Sequence, residues 1–195
     1  MGDSFNTYFN LGFGHIYDIA AIDHILFLVV LCALFSFQDW KKLLILVTAF
    51  TIGHSATLAL AGLDIIRINT QLVEFLIPIT IMITALFNIY TVFQNKEHLL
   101  KNTRIQYMMA LFFGFIHGMG FSNYLRSTLF PGDSLVLQLL SFNLGIEIGQ
   151  ILIVLKILLL GYIFTSMLKI KMKHWAFTLS GLAFAVSLYL LISQL

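Results

Sequence analysis

Histidine and carboxylate side chains recur at a handful of positions where the neighbouring residues are almost all apolar. His15, Asp18, Asp23 and His24 stand at the start of the first long apolar run. His54 follows in Thr51-Ile-Gly-His54-Ser55, His117 in Gly114-Phe-Ile-His117-Gly118, and Glu147 between Asn143 and Gln150. Imidazole nitrogen and carboxylate oxygen suit borderline divalent ions such as nickel, cobalt and zinc, whereas copper(I) calls for thiolates and thioethers. The single cysteine, Cys32, allows no intrachain disulfide and is expected to pack as a small apolar residue. The expected metal ligands are His15, Asp23, His24, His54, His117 and Glu147, the last open between ligand, proton relay and a structural acid bonded to Asn143 or Ser55, with Ser55, Asn143 and Gln150 lining a pathway.

These groups need a scaffold, and the composition says which. Of 195 residues, 59% are hydrophobic and 10% charged, with a mean hydropathy of +0.95; a soluble domain carries about 25% charge. The apolar residues fall in runs near the roughly 20 residues that cross a hydrocarbon core. Six helices are expected, near Ile19–Phe37, Leu43–Leu63, Leu72–Phe93, Ile105–Tyr124, Leu135–Met167 and Trp175–Ile192. The expectation is a single all-α transmembrane domain over residues 1–195, with no linker and no basic patch for nucleic acid. The opening residues lack the basic and apolar regions of a cleaved signal peptide and are expected to be mature sequence.

Lys and Arg are retained on the cytoplasmic side of short loops. The first, third and fifth connections hold Lys41 and Lys42, then Lys96, Lys101 and Arg104, then Lys169, Lys171 and Lys173. The second and fourth set Arg67 against Asp64 and Arg126 against Asp133. Both termini are thus expected outside, in a plasma or inner membrane. Depths then follow from about 1.5 Å per residue. His54 lies nine residues before Leu63, His117 thirteen after Arg104, and Glu147 twelve after Leu135. All fall between the midplane and the outer surface, as do Asp23 and His24. Ionisable residues cost ~2.5–3.5 kcal/mol each at such depths and usually mark a site or pathway.

Local spacing supports a shared interior. Asn143, Glu147 and Gln150 share one helical face. Gly145 with Gly149, and Gly114 with Gly118, form pairs that let helix backbones approach closely. The first helix is less regular: Asp23 and His24 point about 100° apart and His15 is off both directions, so a bend or re-entry is expected at Gly12–Gly14. Thr80, Thr84 and Asn88 share a face that would line an inner exit path. Asp18 and Glu74 are expected to be solvated near the outer interface.

These segments together resemble the HupE/UreJ family of small membrane proteins. The resemblance is carried by Gly12-Phe-Gly-His15 through Asp23-His24-Ile-Leu-Phe-Leu, Phe50-Thr-Ile-Gly-His54-Ser55, Val73-Glu74, Phe113-Gly-Phe-Ile-His117-Gly-Met-Gly-Phe121 and Phe142-Asn-Leu-Gly-Ile-Glu147-Ile-Gly-Gln150. Members are described as hydrogenase or urease accessory proteins and as nickel or cobalt permeases. The resemblance therefore implies transition-metal transport, with His15, Asp23, His24, His54, His117 and Glu147 at the motif positions.

Three functions compete on these residues. The leading one is a divalent-cation permease whose partners are the metal ion and the lipid bilayer, with a homo-oligomer as an open alternative. The second is an intramembrane zinc hydrolase for a lipid or lipid-linked substrate, with Glu147 or Asp23 as base and an open metal position. The third is a metal-stabilised accessory protein whose site is closed.

Overall fold

The computed structural model describes residues 2–18, 22–67, 69–94, 103–128 and 134–194, with the side chains of 2, 3, 103 and 123–126 excluded. Lys96, His98, Lys101, Arg126, Asp133 and the Pro131-Gly132 turn lie outside the described residues or side chains. The regular structure among the described residues is helical throughout: α1 Gly2–Tyr17, α2 Ile22–Cys32, α3 Trp40–Gly62, α4 Thr70–Phe93, α5 Thr103–Thr128, α6 Leu135–Tyr162 and α7 Met172–Ile192. A 3-10 turn at Phe37–Asp39 leads into α3, and a π turn at Ile163–Met167 extends α6.

Among the described residues, four helices are long and apolar enough to cross a membrane: α3 with its 3-10 turn, α4, α6 with its π turn, and α7. A fifth span is formed if α1 and α2 count as one broken crossing, their axes bent by 67°. This corrects the expectation of a continuous first helix over Ile19–Phe37. The break falls between Tyr17 and Ile22, and Gly12 and Gly14 are helical residues inside α1. Gly12 serves packing instead of bending. A Cβ there would sit 2.0 Å from the Phe142 carbonyl oxygen, and one on Gly145 of α6 would sit 2.1 Å from that of Phe9. α1 therefore lies backbone to backbone on α6, as glycine pairs permit.

α5, 26 residues long, would reach about 39 Å, enough to cross, but it is not among the helices apolar enough to be counted. Its polar residues explain this: Gln106, His117 and Ser122 are buried against other helices, so they lower its hydropathy without meeting lipid. The most extensive packing joins α3 to α5, α1 to α6 and α4 to α7, with α2 touching α4, α6 and α7. Pro78 is accommodated inside α4, as membrane helices tolerate. At the ends, Asn69 caps α4 by accepting the Gln71 amide at 2.9 Å. Arg67 is paired with Asp64 at 2.8 Å, so the connection between α3 and α4 bears little net charge.

Candidate metal centre

The broken first span places two of its ends at one point. His15 occupies the last turn of α1, and Asp23 and His24 occupy the first turn of α2. One regular helix would aim these side chains apart, and the change of direction between the segments converges them. His54 reaches the same point from the middle of α3 and His117 from α5. The ring of His24 lies 4.7 Å from that of His15, 6.0 Å from His54 and 5.2 Å from His117. The His15 and His54 rings are 5.8 Å apart.

Two overlapping triads result, His15–His24–His54 and Asp23–His24–His117, with donor atoms within 4.8 Å of one another in each. A tetrahedral ion with metal–nitrogen bonds of about 2.0–2.1 Å needs its ligands roughly 3.3 Å apart, which modest ring rotations provide. The helices themselves are held close for this. A Cβ on Gly114 would meet the Phe50 carbonyl oxygen at 2.2 Å, and one on Gly53 that of Leu111 at 2.2 Å. α3 and α5 thus cross in backbone contact next to His54 and His117.

Hydrogen bonds fix which nitrogens are free. The Nδ1–H of His24 donates to Asp23 Oδ1 at 3.0 Å, and the His24 backbone N–H donates to the same oxygen at 2.9 Å. This leaves His24 Nε2 with its lone pair. The hydroxyl of Thr80 gives its proton to the Ile77 carbonyl at 2.7 Å, so it accepts the Nε2–H of His117 at 3.2 Å. His117 Nδ1 is then the lone-pair atom. Such outer partners orient ligating histidines and set their tautomers. His15 Nε2, His24 Nε2, both ring nitrogens of His54 and His117 Nδ1 are buried without a hydrogen-bond partner. A buried polar group left unsatisfied costs about 1–3 kcal/mol, so these four rings, each with one lone pair when neutral, gain from a shared ligand. The nitrogen-rich, thiolate-free set fits nickel, cobalt or zinc.

The centre is reached through a cleft of about 540 Å³, lined by His15, Asp23, His24 and His117 and, further out, by Asp18 and Glu74. Asp18 and Glu74 are exposed, so they give the mouth a negative field for an arriving cation. His54 is fully buried behind the cleft lining, next to His15 and His24.

Glu147 lies elsewhere. It accepts a hydrogen bond from Thr48 at 2.7 Å and lines a groove between α3 and α6 with Ser55, Asn143 and apolar side chains. Gln150 is bonded by Thr51 at 2.8 Å, and Ser55 donates to the Thr51 carbonyl at 2.6 Å. The reason is the face of α3 each uses: Thr48, Thr51 and Ser55 sit toward α6, whereas His54 turns toward α2 and α5. The structure thus brings together His15, Asp23, His24, His54 and His117, and keeps Glu147, Asn143, Ser55 and Gln150 apart from them. Cys32 is buried two turns below His24.

Sequence reading did not connect Thr80 with His117. Thr80, Thr84 and Asn88 were expected on an exit path, and only the first turns out to touch the histidines. It also passed over Phe27 and Phe50, which floor the centre, because phenylalanine is common here and carries no sign of its place. If Asp23 orients His24, Asp23→Asn is expected to weaken cobalt(II) or nickel(II) binding by roughly 10–100-fold, read by calorimetric titration of the purified protein. Unchanged affinity would show that the carboxylate does not act on the metal site.

A family profile described as HupE / UreJ protein matches residues 1–194. No curated protein and no solved structure matches the chain.

Proposed function

The chain belongs to the HupE/UreJ family, and from that premise and the geometry of the centre we propose that it is a permease for divalent transition-metal ions of the nickel and cobalt type. One observation carries the reading: four imidazoles with unpartnered ring nitrogens, from four helices, converge at and just behind the wall of a cleft that Asp18 and Glu74 also line. Discontinuous helices whose ends meet at an ion are a recurrent way of building transporter sites, because free backbone groups and loosened packing are useful there.

In this reading the membrane is crossed six times, by the α1–α2 pair, α3, α4, α5, α6 and α7, so the termini share a side. Lys41 and Lys42, Arg104, and Lys169, Lys171 and Lys173 flank connections on the opposite side, which the positive-inside rule makes cytoplasmic. The cleft then opens outward, and Asp18 and Glu74 would collect ions before the histidines strip their water.

The test is uptake. Purified protein in proteoliposomes with a fluorescent metal chelator inside is expected to take up nickel(II) or cobalt(II) saturably, and His117→Ala to abolish it. Tight binding with no uptake by the unaltered protein would overturn the permease reading.

One feature favours a second reading. The cleft is far larger than an ion needs, and Leu11, Ile77 and Phe121 give it apolar walls. A zinc hydrolase admitting a lipid-linked substrate would use such a space, with Asp23 as base. Zinc-dependent hydrolysis of a lipid ester, without metal uptake, would favour it.

A further inference from the structure

Among the described acids, Glu147 alone stands at mid-span and outside the metal centre. The extended α6 runs from Leu135 to Met167, with Ile151 at its middle, so Glu147 lies one turn, about 6 Å, from mid-span. Its one hydrogen-bond donor, Thr48 at 2.7 Å, is within two residues of the middle of the Phe37–Gly62 span. The carboxyl is half-buried and lines a groove of about 470 Å³ between α3 and α6. That groove reaches Ala59 and Val136, near the outer ends of the two helices in the six-span reading, and Thr48 and Glu147 lie at its inner end. Ile52, Val136 and Leu140 along it are exposed, so its rim faces lipid.

No cation balances this acid. No basic side chain among the described residues lines the groove. Lys42 on α3 is paired with Asp39 at 2.9 Å, and Lys41 stands over Trp40. Lys156, nine residues further along α6, is bonded to Tyr17. α1 packs on the face of α6 that carries Gly145 and Gly149, about 200° around the helix from Glu147. Its His15, Tyr17 and Asp18 therefore lie on the other side. Asp23 and His24 of α2, with His54 of α3, belong to the metal centre. An uncompensated charge within a span costs ~2.5–3.5 kcal/mol, and a bound proton removes the charge. One turn before Glu147 on the same face, Asn143 Oδ1 is buried without a partner, an acceptor suited to a carboxyl O–H. A water would satisfy Asn143 but leave the carboxylate uncompensated.

We propose that Glu147 is a proton-binding site, loaded along this groove from the same side as the metal, and that proton and metal enter together. The inference rests on the permease reading and deepens it by naming the coupling ion. α3 joins the two sites: Thr48 bonds Glu147, and His54, less than two turns on, belongs to the metal centre.

Two measurements test it. Dicyclohexylcarbodiimide is an apolar reagent that adds the O–H of a protonated carboxyl across one of its C=N bonds. On the purified protein it is expected to label Glu147, located by peptide mass mapping, at a rate that falls as pH rises. No adduct on Glu147, or a rate indifferent to pH, would overturn the proton site. In proteoliposomes, cobalt(II) uptake is followed by elemental analysis with the external pH held constant, so the histidines meet the same medium. An alkaline lumen is expected to raise the initial rate several-fold over a lumen at the external pH. Glu147→Gln is expected to lose that response, while its calorimetric cobalt(II) affinity stays within about twofold. A Glu147→Gln protein that responds as the unaltered one does would overturn the coupling role, as would an unaltered protein whose uptake ignores the lumenal pH. No uptake at all by the unaltered protein would overturn the permease reading instead, and the carbodiimide result would still decide whether Glu147 binds a proton.

Discussion

His24→Ala is expected to abolish stoichiometric metal binding, with an affinity loss beyond about 100-fold. Loss of an orienting partner alone costs roughly 10–100-fold, and His24 is more than that. It is the one residue common to both triads, and its ring sits within 4.7–6.0 Å of His15, His117 and His54. Without it, His15 and His54 face Asp23 and His117 across the space the ring filled. The variant also leaves the Asp23 carboxylate without its Nδ1–H partner, so a negative charge is left less compensated at the cleft. Cobalt(II) titration followed by visible absorption reads both affinity and coordination. An alanine variant that keeps the affinity and the spectrum of the unaltered protein would remove His24 from the centre. Its replacement is expected to be tolerated structurally, because it deletes a polar ring that needs a ligand and not one that holds helices together.

The second large effect is on the scaffold. Gly114→Ala is expected to destabilise the protein by about 1–3 kcal/mol, the usual cost of forcing an added methyl group into a packed site. Its Cβ would sit 2.2 Å from the Phe50 carbonyl oxygen and 3.0 Å from the carbonyl carbon. These are backbone atoms, so no rotamer change relieves the clash, and α3 and α5 must separate. Gly53→Ala meets the same difficulty from the other helix, against Leu111 O at 2.2 Å. The damage reaches function, since Gly53 precedes His54 and Gly114 is one turn before His117. Metal affinity should fall together with thermal stability. Gly181→Ala on α7 is the internal control: nothing lies within 4 Å of its Cβ, and alanine is the better helix former by roughly 1 kcal/mol. Thermal unfolding in detergent, with and without cobalt(II), makes the comparison. Gly114→Ala melting with the unaltered protein and binding metal normally would refute the close-crossing argument.

Much of this molecule is legible before folding is considered. Apolar runs identify α3, α4, α6 and α7, because crossing a bilayer imposes a length and a polarity that soluble folding does not. Ionisable residues in those runs stand out because lipid makes them expensive, which is how His15, Asp23, His24, His54 and His117 were found. The glycine pairs were also readable: Gly114 and Gly145 do lie where backbones meet. α1 was harder. Its residues are mixed in polarity, and only the burial of Tyr8, Gly12 and Ile16 at helical spacing marks its inner face. That pattern is hard to separate from chance in a segment with so many glycines and asparagines.

Position along a helix is, in the end, what the sequence by itself determines about the histidines and acids, since rise per residue is fixed by helix geometry. Azimuth is what only the tertiary structure decides. Glu147, expected in the same layer, is turned into the groove between α3 and α6, because the direction of a side chain depends on how its helix is rotated and against what it packs. The break between α1 and α2, the Thr80 bond to His117 and the stacked floor of Phe27 and Phe50 belong to the same class. Each joins residues distant along the chain, and each is set by where helices cross.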